Sequence, residues 1–391
     1  MIRSRSAPLK VAIYHSILWS KYKGVVFSQV HSRGAQEGIS ASFIQIAETE
    51  NERVALGGID LSYHKYPYRL LFHGSYESSS ILRRSIALLK DIWRNPSDLV
   101  IIPGYHRTEY WAMLLFCMCL RRRRAVFCDS TKFDKPHLPW REFAKRRFFR
   151  RCQGIFCYGI RSREYLLGYG VKEARINYRR QAAALPHDYD PAAILKSYRN
   201  SDQPDAGSPR FLYVGRLSRE KGITDLLRAF ASVQKTMPRA SLDIVGAGPL
   251  EKQLRSETRQ LRLADSVNFL GPKGLDEIAT MFRASTALVL PSRSEPWGLV
   301  VNEALSYGCP VVVSNACGCV PDLVLNDNIT GFTFDPADIQ GLASALISSA
   351  QGNKNRQEVA TRCLEIISNF TPERAALQII EGCLRIASQP Y

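Results

Sequence analysis

A chain of 391 residues exceeds the size at which one hydrophobic core keeps growing, so two domains and a cleft are expected. Its 45% apolar and 23% charged residues exclude a disordered polymer, a collagen-like repeat and a small disulfide scaffold. The net charge of +17 is lopsided: residues 1–200 carry 34 Lys and Arg against 16 Asp and Glu (+18), and residues 201–391 carry 19 against 20 (−1). Only the first half therefore calls for an anionic partner, with nucleic acid, an acidic membrane surface and a phosphorylated substrate as candidates.

The opening residues run directly into a strand-like segment, without the apolar core and cleavage site of a secretory leader. Strands are expected at "KVAIYH" from Lys10, "ASFIQIA" from Ala41, "DLVIIPG" from Asp98, "RAVFCD" from Arg124 and "GIFCYG" from Gly154, with helical periods between them. The longest apolar stretch, Tyr110 to Leu120, is too short to span a bilayer and reads as a buried helix ended by Arg121 to Arg124. "PWREFAKRRFFRR" spaces Trp140, Phe143, Ala144 and Phe148 as one helical face, expected to pack on the sheet. Arg141, Lys145, Arg146, Arg147, Arg150 and Arg151 surround that face, and such a basic amphipathic helix also suits an anionic membrane surface. No helix-turn-helix, RNP-like or zinc pattern supports nucleic acid.

The polar segment from Ser197 to Arg210 reads as a linker. A second series of strands follows at "RFLYVG" from Arg210, "ASLDIVG" from Ala240, "SVNFLG" from Ser266, "TALVLPS" from Thr286 and "CPVVVS" from Cys309. Strands alternating with helices in both halves predict an α/β protein of two Rossmann-like domains with parallel sheets facing across a cleft. The ten cysteines contain no CxxC pair and read as free thiols of a reducing compartment.

Open parallel sheets bind ligands in loops beyond their strand ends. In "VGRLSREKG", Gly215 frees the backbone, and Arg216 and Lys221 could neutralise a diphosphate; the alternative is a solvated basic loop. "VGAGPL" supplies a tight strand-to-helix turn at Gly246 and Gly248, chiefly a matter of shape. In "FLGPKG", Gly271 and Pro272 could meet a nucleotide base through backbone groups. "PSRSEPWGLVVNEALSYGCPVVVS" places Glu295 in a loop and Gly298 at the start of a helix that carries Glu303 about one and a half turns inside. The backbone N–H groups of Gly298, Leu299 and Val300 would form an anion site at that helix N-terminus. Glu303 could accept from a ribose diol and Glu295 could touch a phosphate-linked sugar; a solvated helix face with a loop carboxylate is the plainer alternative.

These flanks closely resemble the retaining glycosyltransferases of family 4, the group 1 glycosyl transferases, which have the GT-B fold and include enzymes of bacterial exopolysaccharide and glycan biosynthesis. The resemblance covers residues 210–340 and rests on "GRLSREKG", "VGAGPL", "SVNFLG", the Glu295 to Glu303 segment, "GCVPDLV" and "TGFTFDP". It implies that Arg216 and Lys221 bind the donor diphosphate and that Glu303 binds the ribose. Glu295 would meet the donor sugar, and the backbone of Trp297 to Val300 would receive sugar and phosphate. The resemblance implies neither a metal nor another cofactor; the nucleotide-diphosphate sugar is a co-substrate. "DYD" at Asp188 to Asp190 matches the metal motif of a competing fold class, without the rest of that pattern, and reads as coincidence. The last helical stretch, as in the family, is expected to cross back to the first domain, giving domains at 1–205 plus 371–391 and at 206–370.

The first half resembles the family less. Gly24 in "SKYKGVV" matches, thinly, a glycine loop that touches the donor phosphate. Asp129 falls where many relatives have a histidine, and could orient the acceptor hydroxyl, take its proton, or simply cap a turn. His106 is the other candidate there, against a plain loop histidine. The implied activity is transfer of a hexose from a UDP- or GDP-sugar, with retained configuration, to a glycan or lipid-linked glycan of polysaccharide biosynthesis. It would take place in the cytoplasm, on the inner membrane face. The alternatives are a nucleotide-sugar hydrolase or epimerase of the same fold, and an inactive nucleotide-sugar-binding scaffold.

Overall fold

The structure, a computed structural model, describes residues 7–133, 139–199, 208–325, 328–352 and 355–389. Contacts divide the chain into two compact units, residues 1–184 with 371–391, and residues 185–370.

In the first unit, chain order is β1 (Leu9–Ile17), α1 (Lys21–Gly34), β2 (Ile39–Ala47), β3 (Tyr68–Leu70), α2 (Ile81–Arg94), β4 (Leu99–Ile102), α3 (Thr108–Cys119), β5 (Arg123–Cys128), α4 (Pro139–Arg150), β6 (Gly154–Cys157), α5 (Ile160–Gly168) and β7 (Ile176–Tyr178). The second unit continues with α6 (Pro191–Arg199), β8 (Arg210–Val214), α7 (Ile223–Thr236), β9 (Ser241–Val245), α8 (Glu251–Gln260), β10 (Val267–Gly271), α9 (Leu275–Ala284), β11 (Ala287–Leu290), α10 (Leu299–Ser306), β12 (Val311–Ser314), α11 (Val320–Leu323), β13 (Gly331–Phe334), α12 (Ile339–Gly352) and α13 (Arg356–Ile367). The final helix, α14 (Pro372–Ser388), returns to the first unit.

Both sheets are wholly parallel, in the orders β3-β2-β1-β4-β5-β6-β7 and β10-β9-β8-β11-β12-β13. Each is a doubly wound sheet whose order reverses beside its first strand, between β1 and β4 and between β8 and β11. Central strands such as Leu99–Ile102 and Val311–Ser314 are buried along their whole length, because helices cover both faces. In the first unit α2, α3, α4 and α5 close one face, through Leu88, Met113, Phe148 and Leu166, and α1 and α14 close the other, through Phe27 and Ile379.

Three expectations change. The segment from Asp188 is part of the second unit: Asp190 Oδ1 accepts from Ala192 N at 2.9 Å, and the Tyr198 hydroxyl of α6 donates to Tyr307 O at 2.8 Å. The break therefore precedes α6 and lies at 184/185; of the expected linker from Ser197, residues 200–207 lie outside the described residues. Recounted by unit, the charge is still +18 and −1. In α4 the buried residues are Phe148 and Phe149, whereas Trp140 and Phe143 are 66% and 64% exposed and do not pack on the sheet. Finally, α3 is not buried all round, since Leu115 is 52% exposed.

Candidate functional site

The switch point of the second sheet gathers the acidic and basic side chains singled out in the sequence. The turn after β8 is shaped by Tyr213, whose hydroxyl donates to Arg216 O at 2.8 Å, and by Gly215 and Leu217, whose N–H groups donate to Val245 O and Ala247 O at 3.0 Å. A short 3-10 turn, Arg219–Lys221, then feeds α7 through Gly222. Gly222 has φ 68°, and a Cβ there would lie 2.1 Å from Pro291 O, so the loops after β8 and β11 touch backbone to backbone. Only glycine permits that approach.

The contact brings Lys221 Nζ into an ion pair with Glu295 Oε2. Around it, Arg216 pairs with Glu220 at 3.1 Å, and Ser218 Oγ donates to the same Glu220 oxygen at 2.6 Å. Arg293 adds a second tie across the loops: its guanidinium grips Asp225 Oδ2 at 2.6 and 2.8 Å, while its N–H donates to Glu220 O at 2.8 Å. The Glu295 loop is also held from its other side, with Gly318 N donating to Glu295 O at 2.9 Å and Cys319 N to Trp297 O at 3.0 Å.

Gly298, at φ 101°, turns this loop into α10. The first amides of α10 have no carbonyl four residues back inside the helix, which leaves the N–H groups of Gly298, Leu299 and Val300 without an intrahelical acceptor. Trp297 is buried: its ring donates from Nε1 to Asn302 Oδ1 at 2.7 Å, and its carbonyl accepts from Cys319 N. Glu303 is partly buried and has no hydrogen-bond partner for its carboxylate among the described residues. Loss of water around it pushes its pKa up to about 7. Gly271 ends β10 and Pro272 follows it at the same end of the sheet, two strands or roughly 10 Å from β8.

The remaining candidates lie in the first unit. Gly24 is inside α1 rather than in a loop: its N–H donates to Ser20 O at 3.0 Å, and a Cβ would meet Tyr63 O at 2.8 Å, so its close approach is to protein. His106 is exposed in the loop after β4, edge-on to Tyr110 at 5.6 Å. Asp129 is exposed as the first residue after β5. Arg146, Arg147 and Arg150 are exposed on α4 beside Phe143, whose ring lies 5.5 Å from the Arg147 guanidinium. "DYD" is structural, since Asp190 caps α6 and the Tyr189 hydroxyl donates to Ser306 O at 2.8 Å. Sequence reasoning missed Arg293, Asp225 and Asn302, whose partners become visible only once the loops are folded together.

Two doubly wound units, the second with this charged switch point beside a helix N-terminus, define the GT-B fold. Residues 196–362 match the model of the family of glycosyl transferases group 1. A glycogen synthase of Mycobacterium tuberculosis is 37% identical over 146 residues, which are 37% of this chain and 35% of that protein. The chain thus spans about a third of the length of the curated relatives it matches. Over nearly the whole chain, the fold is similar to a glycosyltransferase from Rickettsia africae (TM-score 0.71, 17% identity, 98% of this chain and all of that one). It is also similar to Anabaena HepE in complex with UDP and glucose (TM-score 0.70, 18% identity, 95% and 98% covered).

Proposed function

We propose that this protein transfers a hexose from a nucleotide-diphosphate sugar to a glycan acceptor, with retained configuration and without a metal. The observation that carries this reading is the meeting of Lys221, Glu295 and the α10 N-terminus on one switch point, with the unpartnered carboxylate of Glu303 inside the same helix. A diphosphate placed there would be met by Arg216, Lys221 and the Gly298–Val300 amides, and Glu303 would accept from the ribose diol. As the glycosidic bond breaks, negative charge grows on the leaving diphosphate. Fixed positive potential there stabilises the transition state more than the bound donor. Glu295 would hold sugar hydroxyls, and Gly271 with Pro272 would border the base. With no side chain assigned as covalent nucleophile, the leaving phosphate would help to accept the acceptor proton, with Asp129 orienting the acceptor. The UDP and glucose in the similar Anabaena structure support a UDP-hexose.

In this reading the acceptor is lipid-linked and the protein works peripherally on an anionic membrane, on the cytoplasmic side. No helix among the described residues is long and apolar enough to cross a membrane. The support is instead an exposed apolar row on α2, formed by Leu82 (70%), Ile86 (56%) and Trp93 (64%), next to exposed Arg83, Lys90 and Arg94. Trp140 and Phe143 with the arginines of α4 extend that character on the same helical layer. All ten cysteines stand outside disulfides, which suits a reducing compartment.

The test is a thermal-shift panel of UDP-, GDP- and ADP-sugars with the wild type and Glu303→Ala, followed by product analysis with the donor that binds. A shift lost in Glu303→Ala, and a glycoside formed only with acceptor present, are expected. Donor turnover independent of acceptor would replace transfer by hydrolysis or epimerisation, and binding without any turnover would leave a scaffold.

A further inference from the structure

Three neighbouring strands of the first sheet end in register, with Cys128 paired to Cys157 and Cys157 to Tyr178. The next residues on these strands are Asp129, Tyr158 and Arg179, a row along the C-terminal edge of the sheet. Lys23 reaches the row from the first turn of α1. Its Nζ donates to the Tyr158 hydroxyl at 3.1 Å and stands 5.0 Å and 5.1 Å from the ring centres of Phe127 and Tyr158. The Arg179 guanidinium lies 4.6 Å and 4.3 Å from the same two rings. Two cations thus gather about one aromatic pair, and they are only 3% and 2% exposed.

Neither cation is neutralised. Among the described residues Lys23 and Arg179 have no carboxylate within 4.0 Å, and Arg179 Nε is buried without an acceptor. Asp129 is exposed at the rim and acts on Lys23 only through space. Burial first, and then Arg179, hold the Lys23 ammonium well below its usual pKa. His15, buried nearby with Nδ1 2.8 Å from Ile17 O, adds no negative charge. Two like charges buried without a counter-ion are costly to the folded state, and an arrangement that retains them is explained by an anion that arrives from outside. A guanidinium fork with an ammonium between aromatic walls is a recognition set for phosphoryl oxygens.

We propose that Lys23 and Arg179 form an anion site of the first unit that takes a phosphoryl group, carried by the acceptor. The site stands on the geometry of this unit alone; its assignment to an acceptor rests on the glycosyltransferase reading. The nucleotide is the other source of the same chemistry, and the experiment separates the two.

The full chain is titrated calorimetrically with inorganic phosphate and, separately, with UDP at constant ionic strength. The proteins are wild type, Lys23→Met, Arg179→Met, Arg179→Lys and Lys221→Ala. Phosphate is expected to bind at least tenfold more weakly to the two Met variants than to wild type, and several-fold more weakly to Arg179→Lys, which keeps the charge and loses the fork. In phosphate-free buffer the Met variants should melt at or above the wild-type temperature, since a buried uncompensated charge has been removed. UDP affinity retained in Lys23→Met assigns the phosphoryl group to the acceptor; UDP affinity lost there in parallel with phosphate overturns that assignment in favour of the donor. Phosphate affinity unchanged in Lys23→Met and Arg179→Lys overturns the site itself. UDP binding unaffected by Lys221→Ala would instead remove the donor site of the second unit, leaving this one standing.

Discussion

Lys221 and Glu295, 74 residues apart in sequence, are joined as an ion pair on either side of the second sheet's switch point, and their side chains are only 16% and 15% exposed. The pair keeps a cation and a carboxylate mutually satisfied while no ligand is present. A diphosphate would give Lys221 a second anionic partner and leave Glu295 oxygens available to sugar hydroxyls.

Removing the cations should therefore cost nucleotide affinity more than stability. Charge-assisted hydrogen bonds contribute about 1.5–3 kcal/mol each, so Arg216→Ala with Lys221→Ala is expected to weaken UDP or GDP binding by at least ~100-fold in calorimetric titration. Affinity within threefold of wild type would take both residues out of the donor site.

Glu303 makes binding pH-dependent. Its pKa of about 7 in the free protein lies above that of an exposed carboxyl, so the folded state holds a proton that the unfolded chain has released. This contribution to stability is fully present below about pH 4.5 and is lost as pH rises through about 7. Glu303→Gln should accordingly melt higher than wild type at pH 8, by on the order of 1–3 kcal/mol in stability, and nearly equal to it at pH 4. A ribose diol donates to the ionised form, so wild-type nucleotide affinity should rise from pH 5.5 to pH 7.5. Glu303→Gln should flatten that slope, and a slope kept in the variant would assign the proton elsewhere.

Gly222→Ala tests the backbone contact that brings the two loops together. Its φ of 68° and the 2.1 Å approach of a Cβ to Pro291 O leave no room for a methyl group. Strain of at least ~1–2 kcal/mol is expected from the dihedral alone. The loop carrying Glu295 must shift to relieve the clash, so thermal stability and nucleotide binding should fall together. A variant with wild-type melting would show that the loops do not need this contact.

The basic, apolar layer of the first unit predicts vesicle binding. Replacing Leu82, Ile86 and Trp93 by Ser, or reversing Arg146, Arg147 and Arg150 to Glu, should release the protein from phosphatidylserine-containing vesicles without changing its circular dichroism. Each cation near such a surface contributes about 1 kcal/mol, so the triple reversal should weaken partitioning by at least ~100-fold. Added salt should mimic the arginine change more than the serine change, because it screens charge and leaves apolar burial intact. Indifference to salt and to both sets of substitutions would end the membrane reading.

Ten of the thirteen strands among the described residues were legible as apolar, β-branched runs. The three that were not, Tyr68–Leu70, Ile176–Tyr178 and Gly331–Phe334, are short edge strands. An edge strand has a neighbour on one side only and needs no long apolar run, so little in its composition announces it. In α4 the helical period was legible but its direction was not. Spacing groups Trp140 and Phe143 with Phe148 on a helical wheel, and only the packing of α4 on α3 selects the buried part, through the Phe148 ring 5.0 Å from Trp111.

By itself the sequence determined the chemistry available to this protein. It determined the alternation that yields two parallel sheets, the glycine turns, the basic and acidic residues after strand ends, and the confinement of the positive charge to the first half. These are properties of short segments, set by local sterics and periodicity. Tertiary structure alone decided which of those residues share a site. It paired Lys221 with Glu295 across 74 residues, turned Gly24 into a packing position and left the Glu303 carboxylate without a hydrogen-bond partner among the described residues. It also placed Arg179, an unremarked residue after a three-residue strand, beside Lys23 on the same pair of rings. Such contacts follow from strand order and register, which bring sequence-distant side chains within a few ångströms, and no local pattern encodes that distance.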